Sequence, residues 1–318
     1  MTYEFKTILI ALDGSEHSDE AIPLLRWLLG TPGRFKVHLL RVVEPFKPDS
    51  AEREELEGQR APHLEQQVQA ARDHLEELCA KVAHTASEVT AAVLMGPPVS
   101  RILAEAEHIG ADLVAMVTKG RSGPVRWIKG SVTEEVMRQT KVPLLVYNPS
   151  AAPELEPDVP FGGRILFPVG TDGLARAGVE PTAALARAVN GSVTIYTCRP
   201  ILLPPILPHG PLLTPPRLAD DTDEALAALE PWREAFALQG VPATVQVGRG
   251  DPVTGILRAA KEADLIALTT HGHGGLDRFV LGSITEGVLR RAKQPLLIVR
   301  AASKPDAAKA ASALEASA

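Results

Sequence analysis

The stretch ADLVAMVTKGRSGPVRWIKGSVTEEVMRQTKVPLLVY, residues 111–147, returns later as ADLIALTTHGHGGLDRFVLGSITEGVLRRAKQPLLIV, residues 263–299. Ala111 and Asp112 answer to Ala263 and Asp264, Gly120 to Gly272, Gly130 and Ser131 to Gly282 and Ser283, and Pro143 to Pro295. Every pair lies 152 residues apart. Upstream, GPPVSRIL from Gly96 aligns with GDPVTGIL from Gly250 after a two-residue gap. Solenoids repeat every ~20–50 residues, so a period this long signals two copies of a whole domain.

Around the repeat, each copy alternates apolar strands with amphipathic helices, the pattern of a parallel sheet covered on both faces. In the first copy, FKTILIAL (residues 5–12) reads as a strand ended by Asp13, Gly14 and Ser15. Residues 18–29 show helical spacing, RFKVHLLRVV is the second strand, and a long charged helix is expected over 59–83. EVTAAVL, a helix from Val99, ADLVAMV, a Gly-rich loop, a helix from Ser131 and the strand VPLLVY complete the unit. The second copy repeats the order from RILFPV to PLLIVR. The expected domains are residues 1–150 and 164–300, joined by a Pro- and Gly-rich linker at 151–163 and followed by a mobile tail at 301–318.

Composition narrows the function. The chain has 318 residues, 45% of them hydrophobic, enough for two cores. It carries 39 acidic against 33 basic residues, a net charge of −6, which argues against a nucleic-acid surface. No apolar run reaches the ~20 residues of a membrane span, so no membrane partner is expected. Two cysteines, Cys79 and Cys198, make no disulfide framework. Both read as small core residues in a cytoplasmic protein.

The chemistry lies in the loop after the fourth strand. Glycines let a backbone approach a ligand closely, and Ser131 and Ser283 stand where each following helix needs an N-cap. Free amides ending at a helix N-terminus make an anion site. In the first copy, Lys119, Arg121, Arg126 and Lys129 add positive charge suited to phosphates. The second copy's loop carries His271 and His273 instead. Two histidines without a carboxylate or cysteine cluster are weak evidence for a metal, and none is expected. No GxxxxGK[ST] loop and no catalytic constellation occurs.

On these residues the chain resembles a tandem universal stress protein of the UspA family, in its ATP-binding subgroup. Those members carry Gly, two residues, Gly, nine residues, then Gly followed by Ser or Thr. Here Gly120 and Gly130, and Gly272 and Gly282, keep the nine-residue spacing, while Val117 and Thr269 replace the opening glycine. The resemblance implies an α/β fold: two doubly wound, open, parallel five-stranded sheets of order 3-2-1-4-5, Rossmann-like and akin to the adenine nucleotide alpha hydrolases. ATP, or ADP or AMP, then lies across the carboxyl ends of strands one and four, with Mg2+ as the nucleotide's companion. By the same resemblance Asp13 and Val42 sit at the adenine–ribose end, and Gly120, Gly130, Ser131 and Val132 at the phosphates. Val117 and Arg121 join this first set. Cys198, Thr269, Gly272, Gly282, Ser283 and Ile284 are the second copy's candidates. There Gly170 stands at Asp13's place, with Asp172 two residues on, so the first copy is the better nucleotide site.

Two further features complete the reading. The Pro-rich insert PILLPPILPHGPLLTPP, residues 200–216, is expected to cover the second site or meet a partner. The terminal strands VPLLVY and QPLLIV are apolar and need cover. The family pairs such strands across a dimer, so the halves are expected to form an intramolecular pseudo-dimer, with a homodimer as a further step. Function is then adenine-nucleotide sensing in a stress response; weak ATP hydrolysis and a nucleotide-free interaction module are the alternatives.

Overall fold

The computed structural model describes residues 3–15, 21, 34–45, 60–84, 86–117, 131–148, 162–170, 173–199, 220–270 and 282–301. In the first half these form β1 (Thr7–Leu12), β2 (Lys36–Val43), α1 (Arg60–Val82), β3 (Glu88–Met95), α2 (Pro98–His108), β4 (Leu113–Val117), α3 (Val132–Gln139) and β5 (Leu144–Tyr147). The second half supplies β6 (Arg164–Pro168), α4 (Arg176–Ala188), β7 (Ser192–Arg199), α5 (Asp220–Ala227) and α6 (Glu230–Leu238). It continues with β8 (Ala243–Arg249), α7 (Pro252–Ala259), a single 3-10 turn, β9 (Leu265–Thr270), α8 (Ser283–Arg291) and β10 (Leu296–Arg300). The fold is mixed α/β, with five mostly parallel strands from each half.

By its contacts the chain divides into two units, one of residues 1–161 with 295–300 and one of 162–294 with 301–318. In the first, the parallel order is β3-β2-β1-β4-β5, third-second-first-fourth-fifth. β1 pairs with β2 on one side (Leu12 opposite Arg41) and with β4 on the other (Ala11 opposite Met116). The apolar run TILIAL is buried along nearly its whole length, as a strand covered on both faces requires. β3, which has β2 on one side, mixes exposed and half-buried positions instead. β5 is fully buried, and β10 runs antiparallel beside it, Leu297 opposite Leu145. That pairing removes the exposed apolar edge that LLVY would otherwise present.

Helix α1 shows how the sequence sets packing. Its buried residues Ala71, Leu75, Leu78 and Val82 recur at the spacing of one helical face. The charged remainder faces solvent. In the second unit β7, β6 and β9 repeat the order around a central β6, with β8 outside β7.

An acidic residue ties the strand starts together in both halves. Asp112 Oδ2 accepts the backbone N–H groups of Lys6 and Thr7 at 2.8 and 3.0 Å. Asp264 Oδ2 accepts that of Arg164 at 3.0 Å, and the two carboxylate oxygens also receive its guanidinium. The repeated Ala-Asp pair is therefore a clasp between the first and fourth strands, at the end of the sheet opposite the candidate site.

Among the described residues no helix is long and apolar enough to cross a membrane. The expected first helix (apart from buried Ala21), the linker, the insert at 200–216 and the tail beyond Ala301 lie outside the described residues.

Candidate functional site

Register brings three candidates to neighbouring strand ends. Asp13 follows β1, Val42 is the penultimate residue of β2, and Val117 ends β4; β2, β1 and β4 are adjacent. In an open parallel sheet, the carboxyl edge where strand order reverses is where ligands bind, and β1 and β4 flank that point here. Asp13 is exposed, and its Oδ1 accepts both the amide (2.9 Å) and the hydroxyl (2.5 Å) of Ser15. This Asx-type turn is closed by Gly14 at φ +72°, a left-handed conformation that favours glycine.

The helix after β4 supplies the next group. Ser131 has extended backbone (φ −67°, ψ 150°) and its Oγ accepts the Glu134 amide at 3.1 Å. This is an N-cap, as expected of Ser131. The hydroxyl acts as an acceptor in this bond, which does not use its proton. Val132 follows it, an apolar side chain 37% exposed at the start of the helix. Its sequence counterpart Ile284 is 42% exposed in the first turn of α8.

Ser283 departs from the expected role. The N-cap of α8 is Gly282 (φ −54°, ψ 139°), with no side-chain cap bond, and Ser283 is already the first helical residue. The cause lies in the first turn: the Glu286 amide bonds to the Gly282 carbonyl, so this helix starts one residue earlier than α3. Thr269 lies in β9, packed close to Gly178 and Phe167. Its Oγ1 is buried without a hydrogen-bond partner among the described residues. A threonine therefore fills the space where the family pattern begins with glycine.

Cys198 holds the same penultimate position in β7 as Val42 in β2. The two cysteines, read as small core residues, are both half-buried. Cys198 Sγ lies 3.6 Å from the Gly250 carbonyl. The Cys79 thiol is pushed up by burial and then by nearby Glu76, which disfavours its thiolate. Beside Cys198, the Tyr196 hydroxyl fills the space above Gly248 and Gly255. Burial, followed by its hydrogen bond to Cys198, pushes Tyr196 up to about 12. Sequence reading passed over this tyrosine. The two glycines that admit it are the only local sign.

Gly120, Arg121, Gly130 and Gly272 lie outside the described residues, as do Asp172, His271 and His273. The position of Gly173 is nonetheless informative. It adopts φ +71°, matching Gly14, although it stands two residues further from its strand than the Asp13 alignment predicts.

Comparison with known proteins fixes the family. The sequence profile of the Universal stress protein family matches residues 4–148 and 163–300. The chain belongs to the universal stress protein family. A universal stress protein of Mycolicibacterium smegmatis is 25% identical over 305 residues, covering 92% of this chain and 96% of that one. The crystal structure of a universal stress protein from Archaeoglobus fulgidus superposes with a TM-score of 0.68 at 20% identity, covering 94% of this chain and all of that one. A Pseudomonas aeruginosa structure described as a putative universal stress protein gives 0.60 at 17% identity and 93% coverage of each chain. These two likenesses establish the fold, in which two family domains stand in tandem.

Proposed function

We propose that this universal stress protein binds an adenine nucleotide, ATP or its ADP and AMP forms, in its first half. It then passes the bound state on through conformation or partners in a stress response. The observation that carries this reading is the start of α3. Ser131 caps the helix through a bond that does not use its hydroxyl proton, and within the helix the amides of Val132 and Thr133 have no acceptor. Donors of this kind at a helix N-terminus, with the helix dipole behind them, suit phosphate oxygens.

Ser131 and the first-turn amides fit a polyphosphate, and the sequence before them carries Arg121, a positive charge suited to it. Asp13 offers a carboxylate acceptor for ribose hydroxyls, and Val42 an apolar wall for the base. Mg2+ would be carried by the phosphates themselves. The second half, with Gly170 where the first has Asp13, is proposed as the weaker site. Such a protein would work in the cytoplasm, in contact with the adenine nucleotide pool.

Calorimetric titration with ATP, ADP and AMP tests the reading. The wild type should bind with a stoichiometry near one, and Asp13→Ala and Ser131→Ala should each weaken binding about tenfold or more. Retention of full affinity by both variants would refute the assignment. Turnover of labelled ATP in the same samples separates binding from hydrolysis.

A further inference from the structure

Toward the amino ends of β2 and β3, away from the candidate nucleotide site, three side chains of complementary chemistry stand in line. Thr90 Oγ1 on β3 lies 2.8 Å from His38 Nδ1 on β2, and His38 Nε2 lies 3.2 Å from Glu105 Oε1 on α2. We infer that these residues form a second, catalytic site that hydrolyses small carboxylic esters, with Thr90 as nucleophile, His38 as its general base and Glu105 as the positioning residue. The inference is independent of the nucleotide reading.

Hydroxyl, imidazole and carboxylate in this order, each within reach of the next, are what turns a weak hydroxyl into a nucleophile. The chemistry of the groups sets the direction of the proton. A carboxylate accepts and does not donate, so a neutral imidazole facing Glu105 carries its proton on Nε2. That leaves Nδ1 as the acceptor for the Thr90 hydroxyl. Burial holds His38 below the usual histidine value, opposed by Glu105 and aided by His108. At neutral pH the imidazole is then in its basic form. Base and positioning residue are enclosed, their side chains 10% and 13% exposed, whereas Thr90 is an exposed residue.

Strand register adds a donor. The Ser87 amide bonds to the Phe35 carbonyl at 2.8 Å, so by alternation Ser87, Val89 and Ala91 turn their amides toward β2 and Thr90 turns its own away. β3 is the outermost of the described strands on this side. An amide on the nucleophile itself, facing outward, can stabilise the oxyanion that forms when Oγ1 attacks a carbonyl. The reaction balances with water as second reactant. Thr90 Oγ1 bonds to the carbonyl carbon as its proton passes to His38 Nδ1; the bond to the alcohol oxygen breaks, and the alcohol leaves with that proton. Water then attacks the acyl-threonine, giving a proton to Nδ1, which returns it to Oγ1 as the acid departs.

The test treats the full chain with a fluorophosphonate and maps the adduct by mass spectrometry. Thr90 Oγ1 bonds to phosphorus, fluoride leaves, and the proton passes to His38. The expected result is an adduct on Thr90 that Thr90→Val removes and Thr90→Ser retains. His38→Gln and Glu105→Gln should each slow labelling at Thr90 about tenfold or more, and the isosteric Glu105→Gln serves if His38→Gln fails to fold. The pH midpoint of labelling should lie below about 6.5 and move lower still in Glu105→Gln, because Glu105 raises the His38 value. Hydrolysis of nitrophenyl acetate should rank the variants in the same order. No adduct on Thr90 in the wild type, or labelling of Thr90 as fast in Glu105→Gln as in the wild type, would overturn the inference.

Discussion

The hydroxyl of Ser131 accepts the Glu134 amide at 3.1 Å, and no equivalent bond joins Ser283 to its own helix start. Two copies of one motif thus begin their helices differently, and the difference can be measured. Ser131→Ala should destabilise the first unit by about 1 kcal/mol, the usual loss of a serine cap, visible as a lower urea midpoint. Ser283→Ala should leave that midpoint nearly unchanged. Equal losses at both positions would contradict the two helix starts described.

The clasp made by Asp112 is separable from any ligand site. Asp112→Ala leaves the Lys6 and Thr7 amides without their acceptor and should cost about 1–3 kcal/mol of stability. Nucleotide affinity, measured on the folded variant, should stay within about twofold of the wild type. A larger loss of affinity would show that the two ends of the sheet are coupled.

These two cases show what was readable in the residues alone. Unbroken apolar runs such as TILIAL and LVAMV announce strands buried on both faces, and the 152-residue repeat announces the duplication. The cap at Ser131 follows from a short hydroxyl residue before a helical stretch. The clasp was not readable, because Asp112 finds its partners 105 and 106 residues away. The meeting of His38 with Thr90 and Glu105 was hidden for the same reason: strand register and helix packing bring them together. The one-residue shift at Ser283 depends on which carbonyl the Glu286 amide chooses, which composition cannot report.

His38 gives stability a pH dependence. It is buried on β2, with Nδ1 2.8 Å from Thr90 Oγ1 on β3, while Nε2 lies 3.2 Å from Glu105 Oε1 on α2. Burial is the larger influence and lowers its pKa, although Glu105 pulls it upward and His108 adds to the lowering. The unfolded chain, with a histidine pKa of about 6.5, then binds the proton more readily than the folded one. Stability should be fully present above about pH 6.5 and fall as the pH drops below it. Urea midpoints at pH 7.5 and 5.5, roughly one unit either side of that value, should differ in the wild type, and less so in His38→Gln. An unchanged difference in the variant would assign the effect to other groups.

Tyr196 should ionise above the ordinary tyrosine range. The chain has three tyrosines, and this one, enclosed above Gly248 and Gly255, is pushed up to about 12. An ultraviolet titration should show at least one phenol resisting ionisation until about that pH or until the protein unfolds. Tyr196→Phe should lower the amplitude of that late step by one phenol. Gly248→Ala, which forces a methyl against the hydroxyl, should destabilise by about 1–3 kcal/mol. Ionisation of all three tyrosines near pH 10, the ordinary value, would contradict the enclosure.

The central claim is that the first half holds an adenine nucleotide at the carboxyl ends of β1 and β4. The most direct test is to purify the protein gently, release bound small molecules by denaturation, and identify and count them by mass spectrometry. The account predicts about one adenine nucleotide per chain, from a working first site and a weaker second one. No nucleotide, together with no binding when millimolar ATP is added back, would contradict it.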